Sequence, residues 1–272
     1  MTKHIVCYSG GHSSALVAVE VSRKFGAENT VLLNHDISGW VESADIKRFK
    51  SQVAKRIGIP ITFANIKNLP AEELPDQFDV TIQAQAFKVG SGSELCTSRL
   101  KTEPFMAYLK EHHPGKDCAI YYGFDANEQH RIQRRVGIMA QMGYKTDYPL
   151  ALWKDRTIHA IEELGIDRPM QYGSFKHANC IGCLKAGKQH WYIVYCERPD
   201  IFEKAKQAEE AIGYSIISDA YLDELEPIFA DMKRLGIPAS EHITSQTFWA
   251  GVRRAGIDTS TDEDRKPCEC IF

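Results

Sequence analysis

The sequence has no apolar run approaching the ~20 residues of a membrane span, and its first residues lack the basic start, apolar stretch and small-residue cleavage site of a secretory signal. These absences set aside a membrane partner and lead to the expectation of a cytoplasmic protein. Neither sign of charge is in excess: 33 Lys and Arg against 36 Asp and Glu give a formal net charge of -3. That balance argues against a broad electrostatic footprint for nonspecific nucleic-acid binding, although it leaves room for a local basic patch. Internal repeats and low-complexity segments are lacking. No Lys follows the first glycine pair, so there is no G-x-x-x-x-G-K-[ST] loop, and no G-x-G-x-x-G fingerprint stands in its place. Before residue 130 there is no clear Arg-rich patch.

Cysteine, in contrast, is plentiful. Eight cysteines without a secretory signal point to metal, cluster or redox chemistry rather than to a disulfide framework. The 272 residues are enough to bury a sizeable core. Their first half alternates short β-branched runs with helical periods. Strands are expected at His4 to Tyr8, Thr30 to Asn34, Pro60 to Ala64 and Asp117 to Tyr122, and helices at Ser13 to Phe25, Ser43 to Ile57, Leu100 to His112 and Asn127 to Met142. That order predicts an α/β fold, a doubly wound and mostly parallel sheet, over residues 1–147. Residues 148–272 read as a mainly helical region, with helical spacing at Asp155 to Leu164, Ile201 to Ile212, Ala220 to Leu235 and Gln246 to Ala255, closed by a polar tail that carries cysteines.

The turn after the first strand reads Ser9-Gly10-Gly11-His12-Ser13-Ser14. A strand that passes through two glycines into a helix N-terminus suits a phosphate, because glycine lets the backbone approach an anion while amides and hydroxyls point at it. The same residues also suit an ordinary strand-to-helix turn. In parallel sheets ligands sit beyond the carboxyl ends of the strands, where Ser9, Asp36 and Gly123 all fall.

The turn resembles Ser-Gly-Gly-x-Asp-Ser, the PP-loop of the N-type ATP pyrophosphatases, with Ser13 where that superfamily usually has Asp. Three further stretches are similar to elements of its phosphoadenosine phosphosulfate reductase-like branch. They are Asp36-Ile37-Ser38-Gly39-Trp40-Val41-Glu42 with its following helix and Gly58-Ile59-Pro60, then Cys96-Thr97-Ser98-Arg99-Leu100-Lys101-Thr102-Glu103-Pro104, then Gly123-Phe124-Asp125-Ala126-Asn127-Glu128-Gln129-His130-Arg131. Four motifs in order resemble that family more specifically than any one of them. The resemblance implies a Rossmann-like sheet of the adenine nucleotide alpha hydrolase type, which binds ATP with Mg2+. Ser9, Gly10, Gly11, His12, Ser13 and Ser14 would cradle the pyrophosphate, and the missing carboxylate at Ser13 bears on how a magnesium-bound pyrophosphate is held. Lys101 and Arg131 are the candidate cations. Asp36 is set for ribose or adenine, or is a plain strand-end carboxylate. Glu128 orients Arg131, or forms only an i, i+3 ion pair with it.

Asn179-Cys180-Ile181-Gly182-Cys183 is a C-x-x-C, and Cys268-Glu269-Cys270 closes the tail. Four thiolates close a zinc site and equally hold a 4Fe-4S cluster, so spacing does not choose between them. Cluster-bearing relatives of the resembled family use cysteines at the positions of Cys96, Cys180 and Cys183. The resemblance therefore implies an iron-sulfur cluster on Cys96, Cys180, Cys183 and Cys268, with Zn2+ as the alternative and Cys270 as a mobile catalytic thiol. Cys268 and Cys270 are interchangeable in that assignment, and Cys196 is a further candidate for the fourth ligand. Cys7 and Cys118 read as small core residues. Lys185, Lys188, His190 and Trp191 read either as a basic face for a nucleic acid, with Trp191 stacking a base, or as a solvated face with Trp191 in the core.

Three functions stay open. The first is an ATP pyrophosphatase-type enzyme that adenylates an acceptor, releases pyrophosphate and transfers sulfur to a nucleic acid or a small molecule. The second is a sulfonucleotide reductase in which Cys270 attacks the sulfonate sulfur of the nucleotide and a thiol reductant protein completes the cycle. The third is a nucleotide-binding regulatory module without turnover, a reading encouraged by Ser13.

Overall fold

The computed structural model describes residues 2–90, 92, 94–178 and 180–258. Among them five strands form one all-parallel sheet: β1 (Lys3–Cys7), β2 (Thr30–Asn34), β3 (Ile61–Phe63), β4 (Cys118–Tyr121) and β5 (Lys145–Asp147), in the order β3-β2-β1-β4-β5. Ile5 lies in register between Val31 and Ile120. The period of two along β1 sends its side chains to opposite faces. Val6 and Tyr8 meet α1 (His12–Phe25) and α2 (Ala44–Ile57), while Ile5 and Cys7 meet α5 (Glu103–His112) and α6 (Gln129–Gln141). The α/β expectation holds in this form, and the observed elements lie within a few residues of the expected ones.

Local chemistry sets the boundaries. The Ser43 hydroxyl accepts from the Ile46 amide at 3.3 Å and starts α2, and Gly58, at φ 71°, ends it. Ahead of α5, the turn α4 (Leu95–Thr97) runs into a π-helical stretch, Ser98–Thr102, which carries Lys101. The strand order reverses between β1 and β4, so the carboxyl ends of these two strands open the crevice in which a parallel sheet binds ligands.

A second core lies beside the sheet. The helices α3 (Gln77–Ala84), α8 (Lys188–Glu197), α9 (Pro199–Ile212), α10 (Leu222–Arg234) and α11 (Ser245–Arg254) pack around Trp191, Phe202, Phe229 and Trp249, and Ile37 and Val41 join them from the segment after β2. One expected helix is missing. Asp155 to Leu164 forms only the 3-10 turn Ile161–Leu164, because carboxylates take the amides that a helix would give to its own carbonyls. Glu20 accepts from Thr157 N at 2.5 Å and Ile158 N at 3.0 Å, and Glu163 accepts from His159 N at 2.9 Å and Ala160 N at 2.8 Å. The chain between α7 (Pro149–Leu152) and α8 is therefore mostly loop, and part of it lines the crevice. No helix among the described residues is long and apolar enough to cross a membrane.

Candidate functional site

The turn between β1 and α1 depends on its glycines. Gly10 has φ 85°, a left-handed conformation, and a Cβ there would meet the Lys50 stem at 2.8 Å. Across the crevice a Cβ on Gly123 would fall 3.0 Å from the Ser14 amide nitrogen, so the end of β4 runs directly past the start of α1. Within the turn the Ser9 hydroxyl donates to Ser14 Oγ at 3.3 Å, and Ser14 donates to the Gly11 carbonyl at 2.9 Å.

These elements enclose a crevice of about 490 Å³. Ser9, Gly11, His12, Ser13, Ser14, Lys101, Gly123, Glu128, Arg131 and Cys180 all line it, so the structure brings together residues that the sequence places in four separate segments. Arg131 is clamped on two sides: it pairs with Glu128, and its guanidinium carbon stands 4.3 Å from the centre of the Phe124 ring. Glu128 also accepts from the Asp125 amide at 3.0 Å. The contact is the i, i+3 ion pair, and it agrees equally with an orienting role for Glu128.

Asp36, expected either to contact ribose or adenine or to be a plain strand-end carboxylate, is not among the residues that line the crevice. Its carboxylate is buried and faces inward, 3.1 Å from Lys47 Nζ and 3.3 Å from Lys50 Nζ. Lys50, only 2 % exposed, also reaches Glu42 at 2.7 Å and Asn34 Oδ1 at 3.3 Å. Two ammonium groups and two carboxylates balance one another behind the crevice floor, where a single unpaired charge would be expensive. Burial raises the Asp36 carboxyl, but the charges of Lys50 and Lys47 outweigh it and hold the group below its ordinary range. For Glu42 burial prevails over Lys50, and its pKa is raised. Asn34, His35 and Ile37, rather than Asp36, line the crevice from β2. Burial drives the His35 imidazole down to about 4, with a hydrogen bond to the Ala64 carbonyl opposing and the charge of Lys101 reinforcing the shift. The ring is neutral at pH 7 and donates from Nδ1 to that carbonyl at 2.5 Å.

The opposite wall comes from residues that no sequence motif marks. Arg168, Tyr172, Lys176, His177 and His242 all face the crevice. Tyr172 Oη accepts from the His12 amide at 2.9 Å, which places a protein oxygen over the N-terminus of α1, where an anion is expected. The His12 ring turns toward the same wall, and its Nε2 accepts from the Ile161 amide at 3.3 Å. Burial and the charge of Arg168 lower the His12 pKa, so it supplies no fixed positive charge to the loop.

No family model, curated protein or solved structure matches this chain.

The cysteine segments converge on the same region. Ile181 N donates to the Val41 carbonyl at 3.1 Å, and the Gln77 side chain donates to the carbonyls of Ile181 and Gly182 at 2.9 and 3.2 Å. Lys185 pairs with Glu94 at 3.1 Å, which joins the C-x-x-C turn to the segment that carries Cys96. Gly182 has φ 73° and packs so tightly that a Cβ would meet Ile201 at 2.7 Å. Cys183 is buried, and Cys96 and Cys180 are half-buried. Thiols are soft donors of the kind that zinc or an iron-sulfur centre takes, and Cys96 and the C-x-x-C lie on two segments joined by the Lys185–Glu94 pair. Cys268 and Cys270 lie outside the described residues. Cys196 packs in the helical core beside Tyr192, and burial raises its pKa, which works against the thiolate that a metal ligand must be. Cys7 and Cys118 are buried core thiols; burial pushes Cys7 up to about 12 and Cys118 up to about 11.

The basic stretch after the C-x-x-C is not a nucleic-acid face. Trp191 is wholly buried, and Lys188, 3 % exposed, pairs with Asp219 at 2.6 Å. Every residue of α8 from Lys188 to Val194 is buried, so Trp191 has no route to a base.

Proposed function

We propose that the crevice seats the phosphates of an adenine nucleotide and that the protein is a PP-loop, phosphoadenosine phosphosulfate reductase-like enzyme of ATP pyrophosphatase type. One observation carries the reading: the Ser9 to Ser14 turn, Gly123, Lys101 and Arg131 line a single crevice at the strand-order reversal, with Cys180 on its wall. In this reading an acceptor oxygen attacks the α-phosphorus of ATP and pyrophosphate leaves. Sulfur then displaces AMP from the activated acceptor, which is a nucleic acid or a small molecule. The barrier falls mainly through positioning and through charge placed at the phosphoryl oxygens. The start of α1 and the loop hydroxyls hold the leaving pyrophosphate, while Lys101 and the Glu128-clamped Arg131 neutralise it. Ser13 offers no carboxylate to Mg2+, and the crevice carboxylates Glu42 and Glu128 are already paired with Lys50 and Arg131, so the metal would travel with the nucleotide. A cluster on Cys96, Cys180, Cys183 and a tail cysteine would supply sulfur or electrons at the crevice wall; Zn2+ there would supply structure instead.

A second reading, sulfonucleotide reduction with Cys270 as nucleophile and a thiol reductant protein as partner, is favoured by Arg168 and Lys176. They provide from the far wall the extra cations that a second phosphate or a sulfate group requires. The product separates the two readings. ATP and Mg2+ yielding pyrophosphate and AMP supports the first, and sulfite from a sulfonucleotide supports the second. Nucleotide binding without either product would leave a regulatory module.

A further inference from the structure

One side-chain cluster beside the crevice has no part in nucleotide binding as described. His177, from the loop before the C-x-x-C, His190, from α8, and Glu241, from the segment before α11, bring one ligand atom each to within 4.8 Å of one another. His190 Nδ1 stands 2.8 Å from Glu241 Oε1, and His177 Nε2 stands 3.5 Å from Oε2. The two rings lie 6.2 Å apart at 29°. His190 is 4 % exposed, and its Nε2 has no hydrogen-bond partner among the described residues, so its one polar contact there is toward Glu241.

The three arms are held independently. Lys176 N donates to Glu241 Oε2 at 2.9 Å, and Glu241 N donates to the Ser174 carbonyl at 2.8 Å. The Gln189 side chain, next to His190, donates from Nε2 to the carbonyls of Ser240 and Ile243 at 2.8 and 3.1 Å. Phe175 packs on the His190 ring at 5.0 Å. A carboxylate and two imidazoles are thus presented by three elements whose backbones are already fixed to one another, which lowers the cost of ordering them around an ion.

We propose that His177, His190 and Glu241 form a binding site for a divalent transition-metal ion of the zinc type, beside the crevice that His177 lines. Two imidazoles and one carboxylate leave the fourth tetrahedral position to water or to a ligand in the crevice. Magnesium and calcium do not suit the site, because they take shells of oxygen. Metal-ligand bonds of about 2.0–2.2 Å bring tetrahedral donors to roughly 3.3–3.6 Å from one another. The donor spacings run from 2.8 Å for His190 and Glu241 to no more than 4.8 Å, so side-chain rotation must open the first and shorten the longest to reach that value. Zinc would take the place of the His190–Glu241 contact, and because imidazole and carboxylate ligands bind in their deprotonated forms, uptake weakens at low pH. The proposal does not rest on the nucleotide reading.

The test uses the full chain, stripped with a chelator and then titrated with Zn2+ and with Co2+. The expected result is tight uptake of zinc, and a cobalt spectrum that contains visible d-d bands of a nitrogen and oxygen site. Those bands should persist in Cys180→Ala and disappear in His177→Gln, with zinc affinity falling at least tenfold in the latter. His177 sits at the crevice edge, so its replacement spares the core; circular dichroism on the same sample checks the fold. A folded wild-type chain that takes up no zinc would overturn the site. So would a cobalt spectrum made only of sulfur-to-metal charge transfer, abolished by Cys180→Ala and untouched by His177→Gln.

Discussion

Alanine at Gly10 and alanine at Gly11 should act through different physics although the residues are neighbours. At Gly10 the backbone has φ 85°, which costs a residue with a Cβ about 1–2 kcal/mol. The new methyl would also stand 2.8 Å from two carbons of the Lys50 stem and 3.1 Å from Ile46 Cγ2. A lysine stem usually swings aside, but the ammonium of Lys50 is held by Glu42, Asp36 and Asn34, so relief must disturb a buried charge network. Overpacking of this kind adds about 1–3 kcal/mol, and Gly10→Ala should lose roughly 3 kcal/mol in total. At Gly11 the backbone is extended, with φ -85°, and a Cβ would make ordinary contacts at 3.4 Å to Tyr172 Oη and 3.8 Å to Ser9 Oγ. Stability should stay within about 0.5 kcal/mol of wild type. The Gly11 methyl projects into the crevice and should weaken ATP binding about tenfold, near 1.4 kcal/mol. Urea unfolding and ATP calorimetry on both variants read the two effects separately. A Gly10→Ala protein as stable as wild type, or a Gly11→Ala protein that binds ATP unchanged, would refute the description of the turn.

Lys50→Ala should cost about 3–5 kcal/mol in urea unfolding, because it strands Asp36 and Glu42 without their buried cation; a cost under 1 kcal/mol would show that the network is solvated. His35 titrates near 6.5 when unfolded and near 4 when folded, so its contribution is complete above pH 6.5 and is lost as the pH falls toward 4. Between pH 7 and pH 5 wild type should lose about 2 kcal/mol more than His35→Asn, measured by paired denaturant curves, and equal losses would contradict the buried neutral ring. Lys101→Ala and Arg131→Ala should each lower ATP turnover at least tenfold while leaving the unfolding midpoint nearly unchanged. Cys180→Ala should remove bound iron or the thiolate-bound zinc while preserving ATP affinity, and metal content equal to wild type would discard Cys180 as a ligand.

Much of the sheet is legible in the sequence, because buried parallel strands are apolar on both faces and their crossover helices keep a period near 3.6. The exceptions have local causes. The edge strand β5 reads Lys145-Thr146-Asp147, with no apolar residue to announce it. Helix α8 is buried from Lys188 to Val194, so no solvent-facing side marks where it starts, although the run after Trp191 reads as helical. The glycine turn after β1 is legible because glycine chemistry is local. The far wall is not, since Tyr172 meets His12 across 160 positions of chain. Lys50 reads as a surface lysine in an amphipathic helix and becomes a buried counter-ion only when β2 brings Asn34 and Asp36 against it. His177, His190 and Glu241 share no spacing that marks a metal site, because their meeting depends on two loops and a helix.

The most direct test is calorimetric titration of the anaerobically purified full chain with ATP and Mg2+, followed on the same sample by pyrophosphate detection and iron, sulfide and zinc analysis. A single bound equivalent of ATP, weakened by Gly11→Ala and insensitive to Cys180→Ala, is the expected result. No heat of binding with either ATP or a sulfonucleotide, from a chain shown to be folded, would contradict the assignment of the β1 turn as a phosphate seat.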